Sequence, residues 1–264
     1  MYIVQSFFNP EKNGFFVVSN ITLMYEEKEG LPAVTRKFYE QGEKMLVATD
    51  CIIFGFDAGS LKLLLFKRRV SPLEGQWSLI GSFVKLDEDV SAAAERVLEE
   101  ITGLKDVYME ELKVYGAVDR DPGFRCISVG QYALIRLNEY DKKLVEQHGA
   151  VWHDVKDLPA LVLDHEQMVN DALEKLKFKA RYQPLGIELL PEKFTIPQLQ
   201  SVYEAIFQRE LDTRNFRKKV FSHNVLVKLD EKDKSSSKRG AFLYKFDHKR
   251  YSDLLKGGSD FGVL

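Results

Sequence analysis

Three groups of residues in this chain have types and spacings that can do chemistry. The first runs from Leu79 to Leu104. Gly81, Ser82, Phe83 and Val84 lead to Glu88; after seven intervening residues comes Arg96, then Glu99, Glu100 and Gly103. Carboxylates are the hard oxygen ligands that divalent magnesium takes, usually more than one together with substrate phosphates. The second group is Asp119, Arg120, Asp121, Pro122, Gly123 and Arg125. Its arginines suit a phosphate or a cluster of sugar hydroxyls. A surface β-turn with a local salt bridge explains the same residues, since Asp, Pro and Gly are turn formers. Upstream, Trp77 can stack on a ligand ring or fill the core. The third group is basic: Arg214, Asn215, Arg217, Lys218 and Lys219, then Lys234, Ser235, Lys238 and Arg239. His148, His153 and His165 show no metal-ligand spacing and read as surface or hydrogen-bonded residues.

The elements that must position these groups follow from periodicity. Residues 47–56 and 61–67 are apolar runs split by Asp57, Ala58, Gly59 and Ser60, a β-hairpin pattern. Across 89–102, Val90, Ala93, Ala94, Val97, Leu98 and Ile101 recur at helical spacing, and Gly103 stands at the C-terminal stop. Strand-like runs follow at 112–118, 126–137 and 150–155, then a helix from Glu166 to about Arg181. Pro184, Gly186 and Pro191 mark a boundary. Residues 1–45 are mixed, with strand-like Phe15 to Val18 and acidic residues near Glu26, and no role is assigned to them.

The order strand, glycine turn, acidic loop, helix, glycine resembles the Nudix box. That pattern is Gly, five residues, Glu, seven residues, then Arg-Glu-aliphatic-any-Glu-Glu-any-Gly-aliphatic. Glu88, Arg96, Leu98, Glu100, Gly103 and Leu104 match in register, and Ser82 falls on the first glycine with Gly81 just before it. Lys67, Arg68, Arg69, Gly75, Trp77 and Leu79 resemble the strand and turn that precede the box. The resemblance implies magnesium-binding carboxylates at three helical points, spaced i, i+3 and i+4. Here those points are Val97, Glu100 and Ile101, and Glu99 projects about 100° away around the helix. One carboxylate beside two aliphatic side chains is a poor ion cage. The expectation is therefore a Nudix domain that binds a ligand without hydrolysing it, with no catalytic residue, no metal and no cofactor. Its candidate ligand residues are Arg68, Trp77, Glu88, Glu100, Asp119, Arg120, Asp121 and Arg125.

The C-terminal stretch reads as a winged helix. Thr195 and Gln198 have capping-box spacing, Pro197 fits the first turn, and Ile196, Leu199, Val202, Tyr203, Ile206 and Phe207 form an apolar helical series. After a break at 209–211, Asp212 caps a second helix, with Leu211 and Phe216 at hydrophobic-staple positions. Phe216 and Val220 face inward; Arg214, Arg217 and Lys218 share an outer face. A basic second helix of this kind enters the major groove. Strand-like Val225–Leu229 and Ala241–Phe246 enclose a basic, serine-rich tip suited to phosphate contact.

The expected fold is α+β, a Nudix α/β/α sandwich with a mixed sheet followed by a winged helix-turn-helix. The division is 1–45, an N-terminal extension; 46–183, ligand-sensing; 184–250, DNA-binding; and 251–264, a tail. Over about residues 46–250 the chain resembles the Nudix-related transcriptional regulators, and within them the arabinose-responsive repressors look closest. That resemblance implies a homodimer on a palindromic duplex-DNA operator, released by a small-molecule effector, a pentose such as arabinose or an ADP-ribose-like metabolite. Two other readings fit less well: an active pyrophosphatase on ADP-ribose or a sugar nucleotide, and a protein-interaction adaptor.

Charge supports a nucleic-acid partner once it is divided along the chain. The net charge over 264 residues is −2, which by itself argues against such a partner. Residues 209–250 hold 13 basic and 6 acidic residues, or +7; residues 1–208 hold 24 and 32, or −8. This asymmetry is a footprint of nucleic-acid binding. It predicts that removing residues 191–264 leaves a folded acidic domain that no longer binds DNA. No stretch approaches the ~18–20 apolar residues of a membrane span, and no secretory signal begins the chain. Cys51 and Cys126 read as buried free thiols in a reducing cytoplasm.

Overall fold

The computed structural model describes residues 40–57, 59–71, 73–137, 139–234 and 240–256. The expected N-terminal strand at Phe15 to Val18, the acidic stretch near Glu26, and Ser235, Lys238 and Arg239 of the wing tip lie outside the described residues. The chain divides between Lys44 and Met45, and everything below concerns the part from Met45 onward.

The hairpin pattern gives β1 (Leu46–Asp57) and β2 (Ser60–Lys67), paired antiparallel. Short β3 (Trp77–Ser78) pairs with β2, and β4 (Ile80–Phe83) with the first half of β1. Next come α1 (Val90–Thr102), β5 (Glu110–Tyr115) and β6 (Cys126–Arg136). The strand β6 lies parallel to β1 from Leu46↔Cys126 to Phe56↔Arg136, and β5 pairs antiparallel with β6. After α2 (Glu139–Gln147), β7 (Ala150–Asp154) pairs antiparallel with β2. The outcome is a seven-stranded mixed sheet with β1 at its centre.

Side-chain alternation on β1 divides the core into two layers. Cys51 and Ile53, with Leu64 and Ile80, meet Ala94, Val97 and Leu98 of α1 and Val145 of α2. Ile52 and Phe54, with Leu61, Leu63 and Leu65, meet Met168, Val169, Ala172 and Leu176 of α3 (His165–Tyr182). This is the expected α/β/α sandwich. Both cysteines are buried and unpaired with each other, and Cys51 Sγ donates to the Ala94 carbonyl at 3.8 Å. Gly103 ends α1 at φ +77°, and a Cβ there would stand 2.8 Å from His148 and 2.9 Å from Leu144. That position therefore needs glycine for its backbone and for its space.

The chain then makes a 3₁₀ turn (Ile187–Leu189), β8 (Phe194–Thr195), α4 (Ile196–Phe207), α5 (Thr213–Ser222), β9 (Leu226–Asp233), β10 (Ala241–Phe246) and α6 (His248–Lys256). The second sheet runs β8-β10-β9. Helix, turn, helix and hairpin make the winged helix. The expected tail begins as α6, where Tyr251 meets the Phe246 ring at 5.6 Å.

The core does not stop at the boundary near residue 184. One contiguous apolar cluster runs from Ile52 and Leu63, through α3, into Leu199, Val202, Tyr203, Phe216 and Phe246. Gly59, at the β1–β2 turn, is so close to α4 that a Cβ would lie 2.9 Å from Ser201 Oγ. The winged helix thus covers apolar surface of the sandwich that the acidic part would expose if it stood by itself.

Candidate functional site

At the start of α1 the box residues gather on one guanidinium. Arg96 Nε donates to Glu88 Oε2 at 2.8 Å, Nη1 to Glu100 Oε2 at 3.2 Å and Nη2 to the Phe83 carbonyl at 3.1 Å. Glu88 Oε1 also accepts the Lys85 amide at 2.9 Å. The hydrogen bond from Arg96, helped by the Lys85 amide, lowers the Glu88 carboxyl to about 2. Arg96 thus ties the loop to the helix, and Asp89 caps α1 through the Ala92 amide at 2.8 Å. Val97 is buried and Ile101 packs beside it, whereas the Glu100 side chain is 59% exposed. Glu99 is drawn to Lys105 at 2.7 Å. Among the described residues no three His, Cys, Asp or Glu side chains are placed to hold a metal ion. Positions 97 and 101, two of the three points where the resemblance implies metal-binding carboxylates, thus carry no oxygen.

The Asp119 to Arg125 loop has an inward half and an outward half. Arg120, expected to hold a ligand anion, is instead buried with its side chain 2% exposed. Its Nε and Nη2 donate to the two oxygens of Asp164 at 3.0 and 2.8 Å, and Nη2 reaches Asp50 Oδ2 at 3.4 Å. Ser128 Oγ donates to the same Asp50 oxygen at 2.6 Å. His165 Nδ1 accepts the Leu79 amide at 3.1 Å, which leaves Nε2 facing Asp50 Oδ1 at 3.6 Å. Burial lowers the His165 pKa against the pull of Asp50. Asp164 stands at the N-cap of α3 without capping it, its carboxylate being committed to Arg120. Gly81 completes the cluster, since a Cβ there would lie 2.1 Å from Asp50 Oδ1.

Other candidates make contacts within the fold. Arg125 donates to the carbonyls of Gly116, Ala117 and Cys126 at 3.0 to 3.3 Å, so it fastens its own loop. Asp121 Oδ1 accepts the Gly123 amide at 2.7 Å, as a turn requires. Asp119 is exposed. Trp77 lies edge-on to His153 at 4.5 Å and carries Lys67 over its ring at 5.1 Å. Arg68 is half-buried, and its backbone closes the turn to Gln76. None of the eight expected ligand residues lines either of two cavities that flank the α1–β5 connection. One of them, of about 420 Å³, is lined in part by Glu95, Glu99, Lys105 and Tyr108. Phe124 in the loop and Val118 just before it are exposed, as are Val47 of β1 and Phe83 of β4.

The described basic residues of the winged helix lie on its surface. Thr195 and Gln198 form the capping box, and Asp212 caps α5 through the Asn215 amide at 2.8 Å. Phe216 and Val220 are buried; Arg214, Asn215, Arg217, Lys218 and Lys219 are exposed on α5, and Lys234 is exposed after β9. The turn between the helices is braced from α4. Gln200 Nε2 donates to Glu204 Oε1, the Leu211 carbonyl and Thr213 Oγ1 at 2.8, 3.0 and 3.2 Å, and the Leu211 amide donates to Glu204 Oε1 at 3.0 Å.

Fold and site together define a Nudix sandwich fused to a DNA-binding winged helix. The NUDIX domain family matches residues 44–172, and the NrtR DNA-binding winged helix domain matches residues 186–246. A relative described as the ADPR responsive transcriptional repressor NtrR of Acinetobacter baylyi is 34% identical over 205 residues, 76% of this chain and 82% of the relative. The crystal structure of Shewanella oneidensis NrtR complexed with a 27mer DNA superposes with a TM-score of 0.66 at 28% identity, covering 78% of this chain and 95% of that one. An ADP-ribose pyrophosphatase of Methanocaldococcus jannaschii is 36% identical over 110 residues, 42% of this chain and 64% of the relative. The chain belongs to the NrtR family of Nudix-related transcriptional regulators.

Proposed function

We propose that the chain is a transcriptional repressor whose winged helix holds duplex operator DNA and whose Nudix domain releases it on binding ADP-ribose. The carrying observation is the exposed basic helix α5, seated on a core continuous with the Nudix sheet. Between the two effectors left open by the sequence, ADP-ribose is favoured over a pentose, because the Acinetobacter relative is described as ADPR responsive. The effector's place is the apolar end formed by Val47, Phe83, Val118 and Phe124, with Asp119 at its rim. The route to DNA runs inward from there. The loop moves Arg120, Arg120 moves the start of α3 through Asp164, and α3 shares its buried face with the winged helix. The ligand shifts the equilibrium only as far as its affinities for the two arrangements differ. A homodimer working in the cytoplasm would present two α5 helices to a palindrome.

The test is a mobility-shift titration of DNA from upstream of the chain's own gene, over a salt series, with ADP-ribose or arabinose added. Binding that ADP-ribose weakens and arabinose does not is the expected result. Binding indifferent to ADP-ribose rejects the sensor assignment. A hydrolase reading has support in the Methanocaldococcus similarity. Robust magnesium-dependent turnover of ADP-ribose would favour it over the box-helix argument.

A further inference from the structure

The face of the β9–β10 hairpin beside α5 carries cations seated on aromatic rings. Lys228 Nζ stands 3.7 Å from the centroid of Phe242, and Lys232 Nζ 4.5 Å from the same ring. Phe242 and Tyr244 are two residues apart on β10. Tyr244 lies opposite Lys228 and Phe242 opposite Lys232, with a bulge between the pairs. The Tyr244 ring meets Phe221 of α5 at 5.5 Å, and Arg217, one turn earlier, lies over Phe221 at 5.7 Å. Arg217, Phe221, Tyr244, Lys228, Phe242 and Lys232 therefore form a row from α5 outward along the hairpin. Phe221 and Phe242 are 38% and 37% exposed, so these two rings are not filling a core.

Charge on the hairpin is asymmetric. Lys193 pairs with Glu231 at 2.7 Å and Lys245 with Glu192 at 2.5 Å, which neutralises those cations. Arg217, Lys228 and Lys232 have no ion pair within 4 Å among the described residues; Asp230 sits exposed in the bulge without reaching them. A ring face holds an ammonium in place without cancelling its charge. It also limits the side-chain freedom that binding would otherwise remove. Unneutralised, pre-ordered cations next to a basic helix complement a polyanion that extends past that helix.

We infer that this row is a second DNA-contact surface. Lys228 and Lys232, seated on Phe242, hold the sugar–phosphate backbone of duplex DNA beside the stretch that α5 meets. The inference rests on the DNA-binding reading and names a surface that lies on the strands of the wing, apart from its tip. The test uses the full chain and a fluorescent duplex of arbitrary sequence, about 30 base pairs long, in an anisotropy salt series. Each phosphate contact contributes about 0.9 to the slope of log affinity against log salt. The Lys228→Gln/Lys232→Gln double variant is expected to reduce that slope by about 2 and to weaken low-salt binding by about tenfold or more. Phe242→Leu keeps both charges, so it should weaken binding with the slope unchanged. Lys177→Gln, on α3, should change neither. A wild-type slope in the double variant, with wild-type binding intact, overturns the inference alone. Absence of duplex binding by the wild-type chain overturns the DNA-binding reading and the inference with it.

Discussion

Arg120 illustrates how depth changes the meaning of a residue type. Its neighbours Asp119, Pro122 and Gly123 describe a surface turn, and that much was legible in the sequence. The burial of Arg120 was not, because its partners Asp50 and Asp164 lie 70 and 44 residues away. Removing one member of a buried ion cluster leaves uncompensated charge, which costs about 3–5 kcal/mol. Arg120→Gln is therefore expected to lower stability by about that amount, read from urea unfolding. A loss under about 1 kcal/mol would show instead that water reaches Asp50 and Asp164. Glu88 makes a contrasting prediction at the same scale. Its folded carboxyl titrates near 2 instead of 4.5, held down by Arg96. A depressed carboxyl stabilises the fold above its unfolded value and loses that contribution as pH falls through its folded one. Glu88→Gln should thus flatten stability between about pH 4.5 and 2, with little change in slope above pH 5. An identical acid limb in both proteins would rule out the Arg96 pairing in solution.

Elements were readable where local chemistry and periodicity coincide. The box helix α1 has both a stripe and its stop at Gly103, and α4 has its capping box, so their bounds differ from expectation by a residue or so. By contrast α2 has little apolar pattern beyond Leu144 and Val145, and α6 carries few apolar residues for its length. Those helices are fixed by tertiary cover, which a single sequence does not display. Strands β3 and β8 are two residues long and exist only because their partners do. The turn between α4 and α5 was predicted from its length and caps, yet its brace was missed. Gln200 and Glu204 are i, i+4 neighbours on a helix otherwise read for its apolar stripe. Glu204→Ala deprives the Leu211 amide and the Gln200 side chain of their shared acceptor. A buried polar group left without a partner costs about 1–3 kcal/mol. The variant should lose stability in that range and also lose DNA affinity, since α5 is aimed by this turn. Lost stability with unchanged operator affinity would mean that α5 is oriented by Phe216 and Val220 alone.

At the scale of the molecule, a net charge of −2 conceals a body of −8 and a basic module of +7, and both were visible by counting. Counting cannot show how the two parts share their interior. Charge and punctuation at Pro184 and Gly186 suggested separable bodies, but the Cβ that Gly186 lacks would stand 2.4 Å from Val202 of α4. Tyr203, fully buried, reaches the Gln183 carbonyl at 3.5 Å, and its ring meets Phe216 of α5 at 5.6 Å. The boundary is therefore a seam inside one core. A seam of this kind couples the halves energetically, because neither can loosen without uncovering apolar surface of the other, at about 25 cal/mol per Å². Residues 45–264 should accordingly unfold in a single calorimetric transition. Fragment 1–183 should melt well below the intact chain and bind a hydrophobic dye, because α3 and β6 lose their cover. Two resolved transitions, or a fragment as stable as the sandwich in the intact chain, would show the halves to be independent. The route from the Asp119 loop to α5 would then need a carrier other than the shared core. If the single transition is found, ADP-ribose should raise its midpoint for the whole chain at once, since a ligand that binds only the folded state stabilises everything that unfolds with its site.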